Sequence, residues 1–227
     1  DWSDGRNTLE EMAEAAQAAG HRYLAITDHS QHTRVANGLD RDRLARQIDA
    51  IDELNASFDD FVLLKASEVD ILEDGTLDLD DDILARLDLR VCSIHDRFDL
   101  AEEKQTQRVL KAMDNPHFNI FAHPTGRMVA GRAGYALDME RVMRGALERG
   151  CLLEINAQPK RLDLSDVHAR MAKEMGLRLA VSTDAHGTGG LGYLRFGVDQ
   201  ARRGWLERDD VLNTRDLTAL RRLLRRG

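Results

Sequence analysis

A unit of helix, glycine, apolar strand and polar strand end recurs along the chain, and it constrains the fold more than any other feature. In the first copy, Leu9, Met12, Ala13, Ala16 and Ala19 fall at helical spacing. Thr8 and Glu11 make a capping box, and Gly20 stands at the stop. Tyr23–Ile26 then reads as a strand, followed by Asp28 and His29. In the second copy Val142, Met143, Ala146 and Leu147 form the stripe, Gly150 ends it, residues 151–155 are the strand and Asn156 follows. In the third, Ser165 caps a helix with a Val167, Met171, Met175 stripe, Gly176 ends it, residues 177–181 are the strand, and Asp184 and His186 follow.

This alternation predicts an α/β fold with parallel strands. Further strands fit residues 61–69, 89–94 and 118–122. Further helices fit 40–55, 102–113 and 214–225. The acidic run 78–82 reads as a solvated turn and helix start, since it lacks the ligand spacing of a calcium loop. At 227 residues the chain suits one sizeable domain. Cys92 and Cys151 sit in apolar runs and read as buried, reduced thiols, which points to a cytoplasmic protein. No apolar run reaches the roughly 20 residues of a membrane span. A formal net charge of -8 gives no global field for nucleic acid, so any such partner needs metals or local arginines.

The strand ends carry Asp28 and His29, Glu68 and Asp70, His95, His123, Asn156, then Asp184 and His186, spaced roughly 27 to 40 residues apart, one βα unit each. In a parallel barrel the strand C-termini converge on one face, where active sites are built. Carboxylates gathered there repel one another unless cations intervene. Imidazole with carboxylate suits zinc, manganese or iron, whereas magnesium alone prefers oxygen. Glu68 is the best bridge between two metals, which together activate water and clamp a phosphoryl group. After His123, Gly126 lets backbone approach a ligand and Arg127 offers a planar fork for phosphate. Lys160 and Arg161 offer a second phosphate contact. His32 is near enough to His29 to stand behind it or to touch substrate, although an ordinary structural part is the favoured reading, while His21, His117 and His168 read as surface residues.

The segments DWSDG (1–5), TDHS (27–30), EVDIL (68–72), SIH (93–95), HPTGR (123–127), EINA (154–157), TDAH (183–186) and ARRGW (201–205) resemble, in order and over nearly the whole chain, the polymerase and histidinol phosphatase (PHP) family. Within it they resemble the PHP domain of bacterial family X DNA polymerases. The resemblance implies a distorted (β/α)7 TIM-like barrel with three divalent metal sites, filled by Mn2+ or Zn2+, with Fe2+ as a third option. It places Glu68 between the first two metals, Asp184 on the first, His95 and His123 on the second, and Asp4, His29 and His186 on the third. Glu68, Asp184, His123 and Arg127 become the catalytic set, with Arg127 and Arg161 on the substrate phosphate. The implied activity is 3′-to-5′ exonuclease or 3′-end processing of DNA by a metal-activated hydroxide, with a polymerase module in the same parent chain. The family's His-x-His pair lies on a first strand just upstream of the segment matching 1–5, so residues 1–227 are expected to be a PHP domain fragment without that strand. Two other readings are a stand-alone phosphatase of the histidinol phosphatase type and a non-catalytic, metal-stabilised module bracing a polymerase.

Overall fold

Six parallel strands form one sheet in chain order: β1 (Tyr23–Ile26), β2 (Val62–Asp70), β3 (Leu89–Ser93), β4 (Ile120–Phe121), β5 (Leu152–Asn156) and β6 (Leu179–Ser182). The structure, a computed structural model, describes residues 1–225. Parallel neighbours need long crossovers, and helices supply them. Helix α1 (Leu9–Ala18) leads into β1, and α2 (Arg41–Asn55), the one-turn α3 (Asp81–Leu84), α4 (Glu102–Met113), α5 (Met139–Arg149) and α6 (Asp166–Glu174) join successive strands. Two more helices, α7 (Leu194–Arg203) and α8 (Leu217–Leu224), follow β6. The expected capping box of Thr8 and Glu11 is present, and the side chains of Asp40, Asp138, Ser165 and Asp216 accept from backbone N–H groups in the first turns they precede. Gly150 closes α5 at φ 67°, a left-handed turn that a side chain would strain.

Apart from the half-buried β1, the strands are largely buried on both faces, which is why they read as apolar runs rather than alternations. Outward-facing Val69, Phe121, Leu153 and Leu179 pack with Leu44, Val109, Val142 and Met143 of the helices. Inward-facing Leu64, Ala66, Leu89, Ile120, Leu152 and Ala180 pack with Leu212, Leu220 and Leu224, so α8 closes the base. Side chains of β1 and β6, the two outer strands, line one cavity of about 510 Å3 together with Leu64, Leu89 and Ile120, so the sheet curls around it as a barrel-type sheet does. At the outer edge of β6, the Asn213 side chain accepts the Val181 N–H at 3.0 Å and donates to the Val181 carbonyl at 2.8 Å.

Several local expectations are corrected. Helix α6 buries Ala169 and Ala172, while Val167 is 69% exposed. The small residues let α6 close on Gly204 at the end of α7, where an added Cβ would come within 2.8 Å of the Ala169 Cβ. Strand β4 pairs only at Ile120–Phe121 and leaves the sheet through His123 at φ 27°. The acidic run does start α3, but Asp78 is buried, accepting the backbone N–H groups of Asp70 and His32. His21, His117 and His168 are half-buried rather than surface residues. Cys92 and Cys151 are buried thiols outside any disulfide, as expected.

Candidate metal centre

Side chains alternate along a strand, so Leu64, Ala66 and Glu68 share the inner face of β2. The apolar row on that face therefore ends in a carboxylate. Glu68 is buried, and three imidazoles surround it. Its Oε1 lies 2.9 Å from His123 Nε2 and 3.2 Å from His95 Nε2, and its Oε2 lies 3.5 Å from His29 Nδ1. His95 arrives from the end of β3, His123 from the end of β4, and His29 from the exit of β1, where it bridges to the backbone of Glu68.

A second, more open group adjoins the first. Donor atoms of Asp4, His29 and His186 lie within 4.8 Å of one another, as do those of His29, Glu68 and His95, so His29 belongs to both. Asp4 Oδ2 is 3.4 Å from His186 Nε2. The segment carrying Asp4 is moored by Ser3, whose N–H and hydroxyl donate to Asp28 Oδ1 at 2.7 and 2.6 Å. Asp28 thus works as an anchor, accepting also from Gln47, and not as a member of the cluster. Asp184, at φ 51°, leaves β6 beside this group, its Oδ1 3.7 Å from His186 Nδ1. Its Oδ2 takes the Asn156 amide at 3.1 Å and the Arg161 guanidinium at 3.3 Å.

Charge is finely opposed here. Burial by itself would push the Glu68 carboxyl up, but His29 and His95, with the His123 hydrogen bond, hold it well below the usual range. Burial disfavours charge on His95 too, yet Glu68 and Asp70 raise it to about 10. The hydrogen bond to Asp4 raises His186 to about 9, and lowers Asp4 in return. Burial, reinforced by Asp184, pushes the Glu154 carboxyl up to about 7.

The donor set fits divalent cations. His29 Nδ1, the ring nitrogen that faces Glu68, is buried without a hydrogen-bond partner, a costly state for a polar atom. A ring nitrogen of this kind is a ligand atom in waiting. His95 Nδ1 meets Asp70 Oδ1 at 2.8 Å, and Thr33 donates to the other Asp70 oxygen at 2.6 Å. A carboxylate fixing one imidazole nitrogen leaves the other for a metal. Mixed imidazole and carboxylate suits zinc, manganese or iron.

Of the residues singled out from sequence, Asp4, His29, Glu68, His95, His123 and His186 are brought together, with Asp184 alongside. Arg127 is placed differently. Its guanidinium bonds the carbonyls of Arg161, at 3.1 Å, and Leu162, so the fork expected for phosphate braces the neighbouring loop. Arg161 is the arginine that stands at the carboxylates. Sequence reasoning missed the parts of Asp70 and Glu154. Alternation held the signal for Glu154, which shares the inner face of β5 with Leu152 and Asn156.

No family model matches the chain. Over 226 residues, 100% of this chain, it is 47% identical to the DNA polymerase/3′-5′ exonuclease PolX of Bacillus subtilis, and it spans 40% of that protein's length. It is 30% identical over 222 residues to a probable phosphatase of Thermoanaerobacter sp., covering 92% of this chain and 84% of the relative. Among solved structures, histidinol phosphate phosphatase from Lactococcus lactis, complexed with zinc, L-histidinol and phosphate, superposes with a TM-score of 0.61 at 18% identity, over 88% of this chain and 89% of that one. A putative histidinol phosphatase from Listeria monocytogenes gives a TM-score of 0.63 at 15% identity, over 83% and 93%. At those identities the likeness is one of fold.

Proposed function

The chain belongs to the polymerase and histidinol phosphatase family, on the branch of the PHP domain of PolX, and from that premise we propose that it is a metal-dependent phosphodiesterase acting on DNA 3′ ends. Residues 1–227 would form one PHP domain of a longer chain that also carries a polymerase module. One observation carries the reading: a single buried carboxylate, Glu68, turns one oxygen to His95 and His123 and the other to His29. That is the disposition a bridging ligand needs.

Glu68, His95, His123 and Asp184 would hold cations at the buried end of the site, and Asp4, His29 and His186 one at its mouth. Such cations supply Lewis-acid activation of water and of the phosphate. The chain's own groups do the rest. Glu68, kept ionised by its imidazoles, stays a ligand at neutral pH. Asp70 fixes the ring of His95 through Nδ1, so Nε2 keeps facing Glu68. Arg161, drawn to Asp184, stands where it would grip the substrate phosphate, and Arg127 holds the backbone that presents it. Zinc and manganese are the favoured cations, and three the favoured number.

The test is hydrolysis of a 3′-labelled single-stranded oligonucleotide with Mn2+, with and without chelator. Manganese-dependent shortening from the 3′ end, lost with chelator, is expected. Phosphate release from small esters without shortening would favour a stand-alone phosphatase, the reading to which the Thermoanaerobacter relative lends weight. A metal-induced rise in Tm with no hydrolysis would leave a bracing module.

A further inference from the structure

Glu154 is 3% exposed, and each of its oxygens is engaged. Oε2 accepts the His123 backbone N–H at 2.6 Å and the Asn156 side-chain amide at 3.2 Å. Oε1 accepts the Ser182 hydroxyl at 2.6 Å. The same Asn156 amide donates its other hydrogen to Asp184 Oδ2 at 3.1 Å. One carboxylate therefore joins the exit of β4, the end of β5 and the end of β6, and reaches Asp184 through one intermediary.

Both residues it steadies are held awkwardly by the backbone. His123 has φ 27° and Asp184 has φ 51°, a left-handed region that non-glycine residues keep only where their surroundings over-determine it. Released from Glu154, the His123 peptide would be free to relax, and its imidazole would swing from Glu68 Oε1, now 2.9 Å away. A buried carboxylate is poor value as a stabiliser, because desolvation consumes most of what its hydrogen bonds return. Its use here is orientation.

We propose that Glu154 is a positioning residue for the metal centre, fixing His123 directly and Asp184 through Asn156, without itself contacting metal or substrate. The inference rests on the metal-binding reading above. Two substitutions separate its parts. Glu154→Ala removes all three hydrogen bonds. Glu154→Gln keeps them, its amide oxygen taking His123 and Asn156 while its amide nitrogen donates to a reversed Ser182 hydroxyl.

Zinc affinity of the metal-stripped chain, measured by titration calorimetry below the melting temperature, is the readout, with circular dichroism confirming the fold. A residue that merely stabilised the fold would lower Tm and leave that affinity alone. Glu154→Ala is expected to weaken zinc binding by about ten- to a hundredfold, and Glu154→Gln by no more than about fivefold. A folded Glu154→Ala chain with wild-type affinity overturns the proposal, and so does a glutamine variant as weak as the alanine one. If Glu154→Ala does not fold, Ser182→Ala decides. It removes one hydrogen bond, and about three- to tenfold weaker zinc is expected, unchanged affinity being contrary. A wild-type chain that binds no zinc would sink the metal-binding reading itself, and this inference with it.

Discussion

The two halves of the metal centre share His29 and little else. The inner half, around Glu68, His95 and His123, rests on strand ends, and its carboxylate is buried. The outer half, Asp4 with His186, hangs on loops tied by Ser3, Asp28 and the Arg6–His186 backbone bond, and its side chains are 39% and 41% exposed. Water screens the outer pair more, so less rests on its charges than on those of the buried set. The inner carboxylate has left water, and its imidazoles must replace the lost solvation. The same chemical pair is thus a structural commitment in one place and an adjustable contact in the other.

The largest effect that sharpens this contrast is expected from Glu68→Ala. It strips three imidazoles of their common counter-ion and removes the carboxylate that, among the described residues, lies against all three. Hydrolysis should fall by about a thousandfold or more, with loss of bound manganese by elemental analysis. Asp4→Ala should cost far less, on the order of tenfold in rate, because an exposed, screened ligand is removed. Equal losses in both variants would break the distinction.

The smallest effect concerns pH in the metal-free chain. His186 and His95 are raised from an ordinary 6.5 to about 9 and about 10. A group whose folded value is raised contributes stability that is complete below 6.5 and lost as pH rises through the folded value. Glu68, lowered instead, contributes above its ordinary 4.5 and loses that only in stronger acid. With chelator present, Tm should therefore decline by a few degrees between pH 6.5 and 10, the outer pair failing first. Manganese should abolish the decline, since the cation takes the place of those protons. A flat profile in chelator would mean that these imidazoles carry no charge in the fold.

Much of this was legible beforehand because the governing forces are local. Thr8 with Glu11, Ser165 before α6, and an apolar run ending in Glu68 each announce themselves within a few residues. What stayed hidden depends on contacts between distant segments. Val167 has the character of a core residue, yet the close approach of α6 to Gly204 turned two alanines inward. Helix α7 escaped notice because its buried face is Gly197, Gln200 and Ala201, which carry little apolar signal. Arg127 looked like a phosphate fork because nothing in sequence shows that the carbonyls of Arg161 and Leu162 lie within its reach. Asp70 and Glu154 were visible as strand residues, but their tasks are set by His95 and His123 arriving from other strands.

The Asn213 side chain on the margin of β6 offers Val181 both an acceptor and a donor. It counterfeits one residue of a neighbouring strand. A foreign chain seeking to extend the sheet would find the backbone of Val181 already answered, one residue before the turn toward Asp184. The amide thus acts as a stopper against templated stacking at the margin that adjoins the mouth of the candidate metal centre, where an intruding strand would do most harm.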